Sequence, residues 1–114
     1  IESTNDGYAP LTIHGKKLKS IEYTMPVASA QVKSSILLAS LFAEGTTVIN
    51  EPVASRDHTE IMLNYFGADI KNNNGVITST PVEELYGKDL EVPGDISSAA
   101  FFMVAGLIVP NSHM

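Results

Sequence analysis

The run Pro26-Val27-Ala28-Ser29-Ala30-Gln31-Val32-Lys33-Ser34-Ser35 stands directly before the apolar stretch Ile36 to Ala43, where a helix should begin. Small hydroxyl and amide side chains there lie beside the unpaired backbone N–H groups and the positive dipole end of the helix. That combination suits an anionic, hydroxylated ligand. By composition alone, serines at a helix start are caps, so the run by itself does not make a site. Other chemistries find less support. Ser97 and Ser98 read as helix-start hydroxyls, because no His/Asp pair accompanies them as a nucleophilic triad requires. His14 falls in a turn, His113 in the terminal tail, and His58 lies between Asp57 and Thr59 at a helix start. His58 is expected to hydrogen-bond locally rather than act as a general base. No His/Asp/Glu cluster has metal-ligand spacing. Gly45 and Gly94-Asp95 do not form a phosphate-cradling glycine loop.

The elements that would carry these residues follow from periodicity. Asn5-Asp6-Gly7 is a turn signal. Leu11 to His14 reads as a short strand, and Ser20 to Met25 as another, with Ile21, Tyr23 and Met25 on one face. Pro26 ends it. A helix from about Ser29 to Ala43 carries apolar residues most of the way round, which predicts burial between layers. Gly45 stops it, and Thr46 to Ile49 forms a β-branched strand. Asp57 with Glu60 resembles a capping box ahead of Ile61, Met62, Leu63 and Phe66, with Gly67 as the C-cap. Asp69 to Lys71 and Val76 to Thr78 flank Asn74-Gly75, the chemistry of a type I′ hairpin. Leu90 to Val92 is expected as a last strand, and Asp95 as the cap of a helix from about Ile96 to Val109. From residue 20 the order is therefore β-α-β-α-β-β, an α/β (α+β) arrangement.

At 114 residues the chain can build one modest core. A net charge of −6 argues against a nucleic-acid partner, since nothing would offset phosphate repulsion broadly. A local cationic pocket for one small anion is compatible with that charge. The absence of cysteine excludes disulfides and thiolate chemistry and fits a reducing cytoplasm. No segment reaches the roughly 18 apolar residues of a membrane span. The chain begins at Ile1 and ends His113-Met114, which reads as a cloning-site remnant at 113–114. It is expected to be an internal piece of a longer protein.

Three segments, in order, resemble the 5-enolpyruvylshikimate-3-phosphate synthase family. They are Pro26 to Ser34; Glu51-Pro52 with Ser55-Arg56-Asp57-His58-Thr59-Glu60, Met62-Leu63 and Phe66-Gly67; and Val92-Pro93-Gly94-Asp95-Ile96-Ser97-Ser98-Ala99-Ala100-Phe101. The resemblance runs from about Pro10 to Ser112, and to the branch with Ser-Ala-Gln at the first segment. It implies an enolpyruvyl transferase-like β-α-β-α-β-β unit. Residues 1–112 would be part of one of two domains of a parent enzyme, with a complete unit at about 20–80. The strand and helix at 90–109 would lead to the interdomain crossing, so that the last helix would lack its packing partners.

The implied reaction moves the enolpyruvyl group of phosphoenolpyruvate to the 5-hydroxyl of shikimate 3-phosphate, releasing phosphate. The resemblance assigns Ser29, Ala30 (through its backbone), Gln31 and Arg56 to shikimate 3-phosphate, and Gln31 also to phosphoenolpyruvate. An amide both donates and accepts, and a guanidinium offers a planar fork for phosphate. Each has a plainer alternative: a cap for Ser29 and Ser55, a solvated first-turn residue for Gln31, and an ion pair with Asp57 or Glu60 for Arg56. Lys33 reads as structural or solvated. No catalytic residue, metal or cofactor is expected in this segment, and the isolated piece is expected to be inactive. The expected partners are the two substrates and the remainder of a cytoplasmic, monomeric parent, with no nucleic acid and no membrane. Two rival readings are a fragment of the UDP-N-acetylglucosamine enolpyruvyl transferase and a noncatalytic α/β binding domain.

Overall fold

A computed structural model describes residues 1–4 and 7–113. The expected turn at Asn5-Asp6-Gly7 and the terminal Met114 therefore fall wholly or partly outside the described residues. Two exposed strands, β1 (Glu2–Thr4) and β2 (Tyr8–Thr12), pair antiparallel at the start of the chain. The second strand begins three residues earlier than the alternation at Leu11 predicts. Next come β3 (Leu18–Lys19), β4 (Glu22–Thr24), α1 (Ala30–Ser40), β5 (Ala43–Glu44) and β6 (Thr47–Asn50). They are followed by α2 (His58–Tyr65), β7 (Asp69–Asn73), β8 (Val76–Thr80) and α3 (Ile96–Ile108).

The main sheet has the order β4-β6-β8-β7, with β4 parallel to β6 and the other neighbours antiparallel. The crossover that makes β4 and β6 parallel is α1, as parallel neighbours require. The expected β-α-β-α-β-β order is present as β4-α1-β6-α2-β7-β8. β7 and β8 form the hairpin that Asn74-Gly75 predicts, with both residues at positive φ, 52° and 87°. Both central residues of a type I′ turn need that conformation.

Burial alternates along the central strands. Thr47 and Ile49 of β6 lie opposite Ser79 and Ile77 of β8, and all four are buried. With Met25, Leu37, Leu63 and Ile70, the isoleucines form the core between one face of the sheet and the two helices. The polar members of that face are satisfied. The Ser40 hydroxyl donates to the Leu37 carbonyl (2.6 Å) and lies 2.7 Å from the Ser79 hydroxyl, which can donate to it in turn. Asn64 reads the edge strand β7 like another backbone, accepting from the Ile70 N–H (3.0 Å) and donating to its carbonyl (2.8 Å).

Several expectations are corrected. α1 is not buried all round: Leu37 is fully buried, but Val32 and Leu38 face solvent, because sheet and core lie on one side only. Ile21 is half exposed and does not share the burial of Met25. Residues 90–92 form no strand. They meet no partner edge among the described residues, and the segment is tied instead by the Tyr65 hydroxyl donating to the Asp89 carbonyl (3.1 Å). Asp57 caps α2 without a side-chain hydrogen bond, so the capping box with Glu60 does not form. Glu60 turns into the interior instead. Asp95 does cap α3, accepting from the N–H groups of Ser97 (2.9 Å) and Ser98 (3.2 Å). α3 itself buries no residue. No helix among the described residues is long and apolar enough to cross a membrane.

Candidate functional site

α1 begins where the sequence places it. Ser29 is the N-cap, in extended backbone, and its Oγ accepts from the Val32 N–H (3.3 Å). Cap and ligand contact are compatible here: accepting from Val32 leaves the hydroxyl proton of Ser29 available to a ligand. The N–H groups of Ala30 and Gln31 are the first two of the helix and have no intrahelical acceptor. They supply the positive end of α1 with two backbone donors beside the Gln31 side chain.

Arg56 stands at the end of the loop from β6 to α2, exposed, and makes no ion pair among the described residues. Neither Asp57 nor Glu60 claims it. A groove of about 450 Å³ between the starts of α1 and α2 is lined by Ala30, Gln31, Ser34, Arg56, His58 and Thr59, among others. The structure thus brings Ala30, Gln31 and Arg56 to one opening, with Ser29 adjoining as the cap. Across its floor the hydroxyls of Ser34 and Thr59 are hydrogen-bonded at 2.6 Å, which fixes the spacing of the two helices. His58 lines the same groove with an exposed ring, and the local hydrogen bond expected of it is not among those of the described residues. A second hollow, about 380 Å³, lies along Leu18, Ile21, Ile36 and Ala43. Its lining is mostly apolar, with Lys19, Ser35, Ser40 and Thr47 among the aliphatic side chains. No group of three or more His, Asp or Glu among the described residues could hold a metal ion.

Lys33 is not solvated. Its side chain is completely buried, with Nζ 3.2 Å from Oε2 of Glu51 and 2.8 Å from Oε1 of Glu60. Burial works against the ammonium's charge, but its contacts with Glu60 and Glu51 outweigh burial and raise its pKa above the ordinary lysine value. For Glu51, burial likewise favours the neutral acid. Hydrogen bonds from Ser55 and Lys33 overcome it and hold the carboxyl below its usual range. Glu60 lies 2.8 Å from the Lys33 ammonium as an ion pair, with no other donor to either of its oxygens among the described residues. Sequence reasoning missed this cluster. One signal was available: Lys33, Leu37 and Ser40 share a helix face at i, i+4 and i+7, and that face is the buried one. Nothing in the sequence marks Glu51 as its partner.

The geometry is that of a small α/β unit offering a helix N-terminus, an amide and an arginine to an anion. The family model for EPSP synthase (3-phosphoshikimate 1-carboxyvinyltransferase) matches residues 1–113, and the chain belongs to that family. A 3-phosphoshikimate 1-carboxyvinyltransferase of Thermoanaerobacter sp. (strain X514) is 55% identical over 114 residues, all of this chain and 27% of that protein. The enzyme of the same name from Citrifermentans bemidjiense is 59% identical over 106 residues, 93% of this chain and 25% of its own. Among solved structures, EPSP synthase from Acinetobacter baumannii superposes with a TM-score of 0.76 at 50% identity, covering 93% of this chain and 24% of that one. The chain therefore spans about a quarter of the length of the relatives it matches.

Proposed function

We propose that these residues form the shikimate 3-phosphate half-site of a full-length 3-phosphoshikimate 1-carboxyvinyltransferase. The observation that carries the reading is the groove in which Ala30, Gln31 and Arg56, which has no ion pair among the described residues, converge. In this reading Arg56 and the Ser29 hydroxyl donate to the phosphate oxygens, helped by the Ala30 N–H at the positive end of α1. Gln31 bridges to phosphoenolpyruvate, since its amide donates to one partner and accepts from another. The parent, a cytoplasmic monomer in this proposal, transfers the enolpyruvyl group to the 5-hydroxyl and releases phosphate. Such an addition–elimination needs an acid at the enol carbon, a base at the attacking hydroxyl and cations around both phosphates. The groove offers Arg56 as its cation, so the acid, the base and further cations come from the rest of the enzyme. The isolated chain does not turn over. The segment at 90–109 leads toward the crossing between the parent's two domains.

The test is a titration of the chain with shikimate 3-phosphate, and separately with shikimate, followed by backbone amide shifts. Shifts at Ser29, Ala30, Gln31 and Arg56 that saturate with the phosphorylated ligand, and are weaker with shikimate, support the reading. Saturating shifts confined to the hollow around Leu18 and Ile36 would overturn it.

A further inference from the structure

The buried cluster touches the groove at two ends. Lys33 lies two residues beyond Gln31 on α1, and Ser55 immediately precedes Arg56. Glu51 joins them. Its Oε2 accepts from Lys33 Nζ at 3.2 Å, while its Oε1 accepts from the Ser55 backbone N–H at 2.9 Å and from the Ser55 hydroxyl. The backbone of Glu51 is itself fixed, because its N–H donates to the Gly75 carbonyl (2.7 Å) at the tip of the β7–β8 hairpin. One carboxylate therefore folds the loop from β6 to α2 back on itself just before Arg56. The guanidinium, exposed and without an ion pair among the described residues, takes its direction from that loop.

We propose that Lys33, Glu51 and Ser55 are positioning residues for Arg56. The buried ammonium fixes the Glu51 carboxylate, the carboxylate holds both the N–H and the hydroxyl of Ser55, and the loop then presents the guanidinium to the groove opposite Gln31. Lys33 sits inside the ligand-binding run without facing the ligand. The arrangement reduces the ordering that a long arginine side chain otherwise needs when it binds an anion. This inference rests on the reading of Arg56 as a phosphate ligand.

The test uses the full-length enzyme carrying these residues and measures the dissociation constant of shikimate 3-phosphate, with kcat and the KM for phosphoenolpyruvate alongside. Arg56→Ala is expected to weaken shikimate 3-phosphate about tenfold or more, as loss of a charge-assisted contact does. Glu51→Gln is expected to weaken it at least about threefold on its own and to add nothing in the Arg56→Ala background, the signature of action through one group. Lys33→Arg is expected to restore what Lys33→Met loses. Should Glu51→Gln compromise folding, Ser55→Ala leaves both ion pairs whole and carries the same double-variant comparison. Positioning is overturned, with the phosphate reading intact, if Arg56→Ala weakens binding but Glu51→Gln or Ser55→Ala has the same effect with and without Arg56. If Arg56→Ala changes nothing, the phosphate reading itself fails and the positioning role goes with it.

Discussion

Replacing Lys33 by methionine removes the one cation from a site that holds two carboxylates. The side chains of Lys33, Glu51 and Glu60 are 0%, 2% and 7% exposed, so water cannot take over the lost partner. Breaking a buried ion pair by deleting one member costs roughly 3–5 kcal/mol. Glu51 keeps its two Ser55 donors, whereas Glu60 keeps no directed donor, so most of the cost falls on Glu60. Against a domain stability of about 5–15 kcal/mol this is a large share. Urea unfolding at several pH values measures it. In the unsubstituted chain Glu51 titrates below 4.5, so its stabilisation is present above that pH and lost as pH falls through the folded value. Lys33 titrates above 10.5, so its contribution is whole below that pH and lost as pH rises through the folded value. The deficit of Lys33→Met should therefore be largest at neutral to mildly alkaline pH and shrink as the pH falls, because protonation then removes the unpaired charge that burial disfavours. Adding Glu51→Gln and Glu60→Gln to Lys33→Met should return most of the loss, since no unpaired charge then stays buried. A deficit below about 1 kcal/mol at pH 7, the range of exposed pairs, would refute the reasoning. So would a deficit as large at pH 3 as at pH 7.

Gly75→Ala is expected to cost about 1–3 kcal/mol in thermal or urea unfolding, as other strained positive-φ positions do. Its φ is 87°, and an added Cβ would stand 2.6 Å from the Glu51 carbonyl oxygen; an unchanged midpoint would contradict this. Ser29→Ala should lose about 1 kcal/mol through the missing cap of α1, and a neutral result would mean the 3.3 Å bond to Val32 contributes nothing. The amides of α3 should exchange far faster than those of Ile49 and Ile77, because its 13 residues bury nothing and a helix of that length is marginal alone. Protection of α3 equal to that of the central strands would count against this.

The secondary structure was legible where the pattern was local. Asn74-Gly75 dictates its turn, Ser29 and Asp95 their helix starts, and the β-branched run at 46–49 the strand observed at 47–50. What failed depended on partners far along the chain. Leu90 to Val92 alternates like a strand but has no edge to join among the described residues, and α1 looks apolar all round because the sequence does not show which side meets the sheet. Glu60 has the spacing of a capping box with Asp57, yet a lysine 27 positions earlier offers it a stronger electrostatic partner. The candidate site residues at 29–31 are visible as a run. Their meeting with Arg56 became visible only once the crossover brought the starts of α1 and α2 to one side of the sheet.

The hydrogen bond from Glu51 to the Gly75 carbonyl bears on where the molecule can be engineered. Exposed hairpin tips are the usual places to insert an epitope, a fluorescent domain or a new terminus. Here the tip is a keystone rather than a spare end. An insertion between Asn74 and Gly75 would leave the β7–β8 ladder intact and still free the end of β6 from its backbone anchor. The exposed pair Gly87-Lys88, lying between the Tyr86 N–H bond to the Phe66 carbonyl (2.7 Å) and the Tyr65 bond to the Asp89 carbonyl (3.1 Å), carries no regular structure and is the better graft point.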